Sequence, residues 1–248
     1  MTRKKALCIY LSCALGQILA VCVIVFLLRR GGVTVDYTSA AGIIAVAAGG
    51  ISTALWGSVL SVKYHHRTAK RILTDFFNVR QNYKAYLMVL MFLLLDFFYL
   101  FCGGRLIITQ WYIPLILFVK ALLFGGIEEI GWRYFFQPTL QEKLGYIPST
   151  LITFLFWGIW HFSFFYIDGT LAQTDTYGIM SFLLGLLVNC FILSALYIRT
   201  KSLWICVMTH SLINVFSQTA EGGNIYVRVI CCIMIIAAAV LSSKKAQR

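Results

Sequence analysis

Two adjacent carboxylates, Glu128 and Glu129, stand in the stretch GGIEEIGWRYFFQPTLQEKLG (Gly125–Gly145). In a continuing helix Glu129 and Arg133 are four residues apart, so they face one another and can pair. Glu128 is rotated by about 100° from Glu129 and has no such built-in partner, which leaves it available as a general base. A second group, FLFWGIWHF (Phe154–Phe162), holds His161 with Trp157 four residues earlier on the same helical face. A third, SLWICVMTHSLINVF (Ser202–Phe216), holds His210 and Asn214, again at i and i+4. Either can donate a hydrogen bond to an oxyanion. Singly, each group has a plain reading: a helix-end charge cluster, a hydrogen-bonded membrane histidine, a polar contact between helices. Together they supply a base, a second acid/base group and oxyanion donors, the inventory for hydrolysing an amide bond with activated water. His161, His210 and one glutamate would equally suit zinc with an open water position. Spacing alone leaves both open.

These residues need a scaffold, and the composition says which kind. Of 248 residues 60% are apolar and 12% charged, against about half and roughly a quarter in a soluble domain. That excludes a disordered chain, a coiled coil and an ordinary soluble enzyme, and points to one polytopic all-α membrane domain. The net charge of +12 is read as cytoplasmic loops against anionic lipid, not as nucleic-acid binding. The eight cysteines show no CxxC spacing and are read as small buried hydrophobes.

Apolar runs of membrane-crossing length predict about eight spans: Ala6–Leu28, Thr38–Val62, Tyr86–Cys102, Ile107–Gly126, Ser149–Tyr166, Ile179–Ile198, Leu203–Ser217 and Ile225–Leu241. The first is read as an uncleaved span, not a signal peptide. A cytoplasmic N-terminus puts sixteen Lys and Arg inside, Arg248 among them, and four outside (Arg29, Arg30, Arg105 and Arg228), so both termini are expected inside. Residues 63–85 are predicted to form a basic amphipathic helix on the inner membrane surface. Asp96 and Lys120, on neighbouring spans, are read as a candidate buried ion pair.

At this point the motifs resemble a known family. EEIGWR (Glu128–Arg133) is similar to the EExxxR motif of the CPBP family, the CAAX-protease and bacteriocin-processing intramembrane proteases also called Abi proteins. WGIWH (Trp157–His161) resembles its FxxxH motif, with tryptophan for phenylalanine, and HSLIN (His210–Asn214) its HxxxN motif. The motif-bearing core covers about 125–216. The resemblance implies an eight-helix bundle with a site open toward the cytoplasm. It implies that Glu128 with His161 activates water, that His210 and Asn214 form the oxyanion hole, that Glu129 assists, and that Arg133 holds the glutamates. It implies no obligatory cofactor, since this set is complete without a metal; zinc on His161, His210 and Glu128 is the alternative. The expected substrate is a small membrane-associated peptide or lipidated protein at the lipid bilayer of a cell membrane, in a bacterial setting. The competing reading is a non-catalytic bacteriocin-immunity or partner-binding protein on the same fold.

Overall fold

The structure is a computed structural model that describes residues 1–246; Arg248, counted above among the inner cations, lies outside the described residues. Among the described residues six helices are long and apolar enough to cross a membrane: Arg3–Arg30, Ala40–Lys63 (with a break at Ile51), Tyr83–Phe101, Tyr146–Asp168, Thr176–Thr200 and Ile225–Lys244. The fourth and seventh expected spans are helical but shorter. Residues 104–106 form a strand, and helix starts only at Ile113, beside Pro114, a residue suited to a first helical turn. Leu203–Thr219 has 17 residues. By their contacts the residues fall into two compact units that interleave along the chain.

The first unit comprises Met1–Ala69 and Ile130–Leu187. Helix α1 (Arg3–Arg30) is capped by the Thr2 side chain, which accepts from the Lys5 amide. Its buried residues, Ala6, Tyr10, Ala14, Ile18, Val21 and Val25, recur at three or four and make one face. Leu19, Val23, Ile24 and Leu27 are exposed, which suits a helix that meets lipid on its other side. Arg29 at its end is a clamp: the guanidinium donates to the carbonyls of Tyr166, Ile167 and Val35 at 2.9, 3.0 and 2.8 Å. This accounts for one dissenting outer arginine, since the carbonyls at a helix C-terminus need donors. Helices α2 (Ala40–Gly50) and α3 (Ser52–Lys63) follow. Gly57 of α3 packs directly on Gly131, where a Cβ would come within 2.5 Å of the Gly131 Cα. Small residues permit this backbone approach between apolar helices. Around the contact, Tyr10 stacks on Phe136 (5.3 Å) and meets Trp132 edge-on (5.8 Å).

Residues 63–85 do not form one amphipathic helix, contrary to the sequence expectation. Between the end of α3 at Lys63 and the start of α5 at Tyr83 the helical part is α4 (Ala69–Phe76). The chain turns at His66, whose φ is 57°, and Arg67 is drawn off to the Tyr134 carbonyl (3.0 Å) and ring (3.6 Å). These tertiary ties outweigh the local amphipathic pattern.

The second unit comprises Lys70–Glu129 and, of the described residues, 188–246. Helix α5 (Tyr83–Asp96), capped by Asn82, is followed by β1 (Gly104–Leu106). Next come α6 (Ile113–Ala121), a π-helical turn at Leu122–Gly126, α7 (Glu128–Gly131), a second π-helical turn at Trp132–Phe136 and α8 (Gln137–Gln141); the division between units falls at Glu129/Ile130. The first unit also holds α9 (Tyr146–Asp168), α10 (Thr170–Gln173) and the beginning of α11 (Thr176–Thr200). The second also holds α12 (Leu203–Thr219), β2 (Ala220–Gly222) and α13 (Ile225–Ala246). The two strands pair antiparallel with Arg105 opposite Glu221, and those side chains form an ion pair. Asp96 and Lys120 are not the charge pair expected. Lys120 is exposed on α6, and the cation acting on Asp96 is Arg228 of α13, whose guanidinium lies over Tyr99.

Candidate active site

The helix bearing the carboxylates is not a regular α-helix. Two π turns, Leu122–Gly126 and Trp132–Phe136, bracket the four residues of α7. The even 100° step assumed for Glu128, Glu129 and Arg133 therefore does not hold across the second turn. Glu128, Glu129 and Arg133 are 4%, 0% and 0% exposed. That removes the plain reading of a solvated helix-end cluster. Ionisable groups so buried in an apolar chain are costly and mark functional sites.

In the second unit Glu129 meets α12. Its Oε1 lies 2.8 Å from His210 Nδ1. A carboxylate on one ring nitrogen fixes the imidazole plane and directs the other nitrogen away. The Thr209 and Ser211 hydroxyls of α12 donate back to Ile205 and Val207 carbonyls at 2.6 and 2.8 Å, so they serve the helix itself. His210 and Asn214 carry the remaining polar chemistry of this face, as their spacing predicts. Both tips converge on Gly125. A Cβ there would sit 2.4 Å from Asn214 Nδ2 and 3.2 Å from His210 Nε2. At the neighbouring Gly126 a Cβ would meet Val207 Cγ1 at 2.9 Å and Ser211 Oγ at 3.1 Å. The glycine pair lets the π turn lie against α12. Sequence reading missed Gly125; its signal was a Gly-Gly step immediately before the carboxylates in a helix interior, where glycine is otherwise unfavourable.

In the first unit Trp157 organises the remaining motif residues. The Arg133 guanidinium lies 4.2 Å from the Trp157 ring centroid, a cation–π contact. His161 packs on the same residue with ring centroids 5.2 Å apart, as the four-residue spacing predicts. His161 Nδ1 lies 2.9 Å from the Trp157 carbonyl oxygen. A carbonyl only accepts, so Nδ1 donates to it, and when the ring is neutral Nε2 holds the lone pair. Trp160, Phe165 and Phe182 complete an aromatic wall around the imidazole. Tryptophan therefore serves where the FxxxH motif has phenylalanine. Among the described residues no three His, Cys, Asp or Glu side chains gather as a metal-holding group.

Buried Glu128 and Glu129 with the carboxylate-bonded His210 in the second unit, and His161 in the first, lie on helices of a chain with membrane-spanning candidates. Residues 109–216 match the family model for type II CAAX prenyl endopeptidase, Rce1-like. A CAAX prenyl protease 2 from Methanococcus maripaludis is 27% identical over 120 residues. That match covers 46% of this chain and 43% of the relative, so the chain spans less than half of the curated relative. The matched stretch carries all three motifs and is similar to Rce1-like sequence.

Proposed function

We propose that the chain is an intramembrane endopeptidase that hydrolyses a peptide bond of a membrane-associated peptide or lipidated protein. The observation that carries this reading is the buried Glu129–His210 hydrogen bond beside Asn214, within the matched segment. Binding alone needs no carboxylate-oriented histidine next to a second buried carboxylate.

In this reading Glu128 takes a proton from water as the oxygen attacks the scissile carbonyl. His161, through its Nε2 lone pair, assists in handling that proton and returns it to the leaving amine. The oxyanion is stabilised by His210 and Asn214. Glu129 keeps the His210 ring in plane, and Arg133, stacked on Trp157, stiffens the helix next to the carboxylates. The donor set is sufficient without a metal; zinc on His161, His210 and Glu128 is the alternative that chelation tests. The chain sits in a cell membrane with both termini on the cytoplasmic side, and the substrate is reached from that side or laterally through lipid.

The test is a peptide-resolved comparison of membrane and secreted fractions from cells making wild type or Glu128→Gln at equal abundance. A fragment present only with wild type supports the proposal and identifies the bond cut. Identical profiles overturn it in favour of a binding or immunity protein. Repetition with a chelator distinguishes the glutamate-type from the zinc-type enzyme.

A further inference from the structure

A cavity of about 280 Å³ lies in the second unit, away from the motif residues. It is lined by Gln81, Asn82, Lys84 and Met88 at the start of α5, and by Arg199 and Thr200 at the end of α11. Two cations share it, and among the described residues no carboxylate lines it. Two lining amides add polar capacity: the Asn82 side chain caps α5 by accepting from the Lys84 amide (2.9 Å), and Gln81 donates to the Asn78 carbonyl (2.8 Å). Thr200 is committed to the Leu196 carbonyl (2.7 Å). The lining thus holds two positive charges with no carboxylate of the described residues at the cavity wall.

The level of this cavity along the helices is marked by aromatic residues with polar tips. Trp204 Nε1 donates to the Tyr86 hydroxyl (3.2 Å), Tyr86 donates to the Val79 carbonyl, and Tyr83 is 67% exposed. Tyrosine and tryptophan gather where a membrane protein passes the headgroup layer. Below that level α5 exposes Leu87, Leu90, Met91 and Leu94, an apolar surface fit for acyl chains. Basic pockets between helices at the headgroup level suit anionic lipid.

We propose that this cavity binds the headgroup phosphate of an anionic phospholipid, with Lys84 and Arg199 as the phosphate ligands and the exposed apolar face of α5 against its acyl chains. Arg199 offers a planar fork that matches two phosphate oxygens, and Lys84 a compact charge. The bound lipid ties the start of α5 to the turn at Thr200–Ser202, which opens α12, the helix of His210 and Asn214. The site does not depend on the proposed hydrolysis.

Full-length protein in detergent is titrated with phosphatidylglycerol, with phosphatidylcholine and with glycerol 3-phosphate, and bound lipid is counted by native mass spectrometry alongside thermal unfolding. Phosphatidylglycerol is expected to bind and to raise the unfolding temperature. Lys84→Gln with Arg199→Gln is expected to weaken it about thirtyfold, from roughly fivefold per cation near a headgroup. Lys84→Arg with Arg199→Lys restores binding, which separates charge from folding. Lys70→Gln with Lys120→Gln, which removes two cations elsewhere, leaves it unchanged. Equal binding of phosphatidylcholine, or undiminished phosphatidylglycerol binding by the double glutamine variant, overturns the proposal. An equal shift with glycerol 3-phosphate reassigns the cavity to a free phosphate and overturns the lipid assignment.

Discussion

Gly125→Ala isolates the contribution of one missing side chain to the oxyanion donors. A Cβ at this position would stand 2.4 Å from Asn214 Nδ2, where ordinary contact begins at 3.4 Å. The clash is resolved by about 1 Å of movement, and the mobile party is the end of the Asn214 side chain rather than backbone. Stability therefore changes little: the added methyl favours helix by about 1 kcal/mol and the displaced amide offsets part of that. A shift in unfolding temperature of under about 4 °C is expected. On the proposed mechanism activity behaves differently, because a donor displaced by 1 Å no longer meets the developing oxyanion, a loss of about a hundredfold. The assay is steady-state cleavage of the peptide bond identified by the Glu128→Gln comparison. The loss should fall on kcat, with KM nearly unchanged, since the interaction is made in the transition state. Adding Gly125→Ala to Asn214→Ala should cost little further, because the severe clash is with Asn214 and His210 Nε2, at 3.2 Å, needs to give only slightly. Full kcat in folded Gly125→Ala, or additive losses in the double variant, would refute the convergence of these groups on one oxyanion.

Two further outcomes follow from the first unit. Gly57→Ala drives a methyl to 2.5 Å from the Gly131 Cα and 2.8 Å from the Ile130 carbonyl oxygen; backbone cannot swing aside, so a loss of about 1–3 kcal/mol is expected in reversible unfolding, and an unchanged midpoint would contradict the close helix approach. His65 lies outside the membrane-spanning segments, and burial first, then the Arg67 charge, holds its pKa below the usual 6.5, against an opposing pull from Glu142. The folded state thus binds fewer protons than the unfolded one, so this contribution is complete above pH 6.5 and is lost as pH falls below it. Thr139 donates to the Phe135 carbonyl and so accepts from His65 Nε2, a role that an amide can take over. His65→Gln should accordingly lose less unfolding temperature between pH 7.5 and pH 5 than wild type; equal losses would sink this assignment.

What the sequence determined by itself is the part that local pattern encodes. A 60% apolar composition requires helices in lipid, and the i, i+4 spacings of Trp157 with His161 and of His210 with Asn214 survive because α9 and α12 are regular helices. The motif residues and their family likeness were legible for the same reason. Tertiary structure decided what depends on groups distant in sequence. The Gly125 notch and the bond from Glu129 to His210 join residues some 80 positions apart. No propensity encodes that contact, which arises only once a π turn is packed against α12. The interruption of residues 63–85 is likewise tertiary: Arg67 finds a carbonyl and a ring at Tyr134, and the chain gives up a continuous amphipathic helix to reach them. The charge beside Asp96 was misread for an equally physical reason. Adjacency in sequence suggested Lys120, whereas the fold packs α13 against α5 and brings Arg228 into Asp96's field.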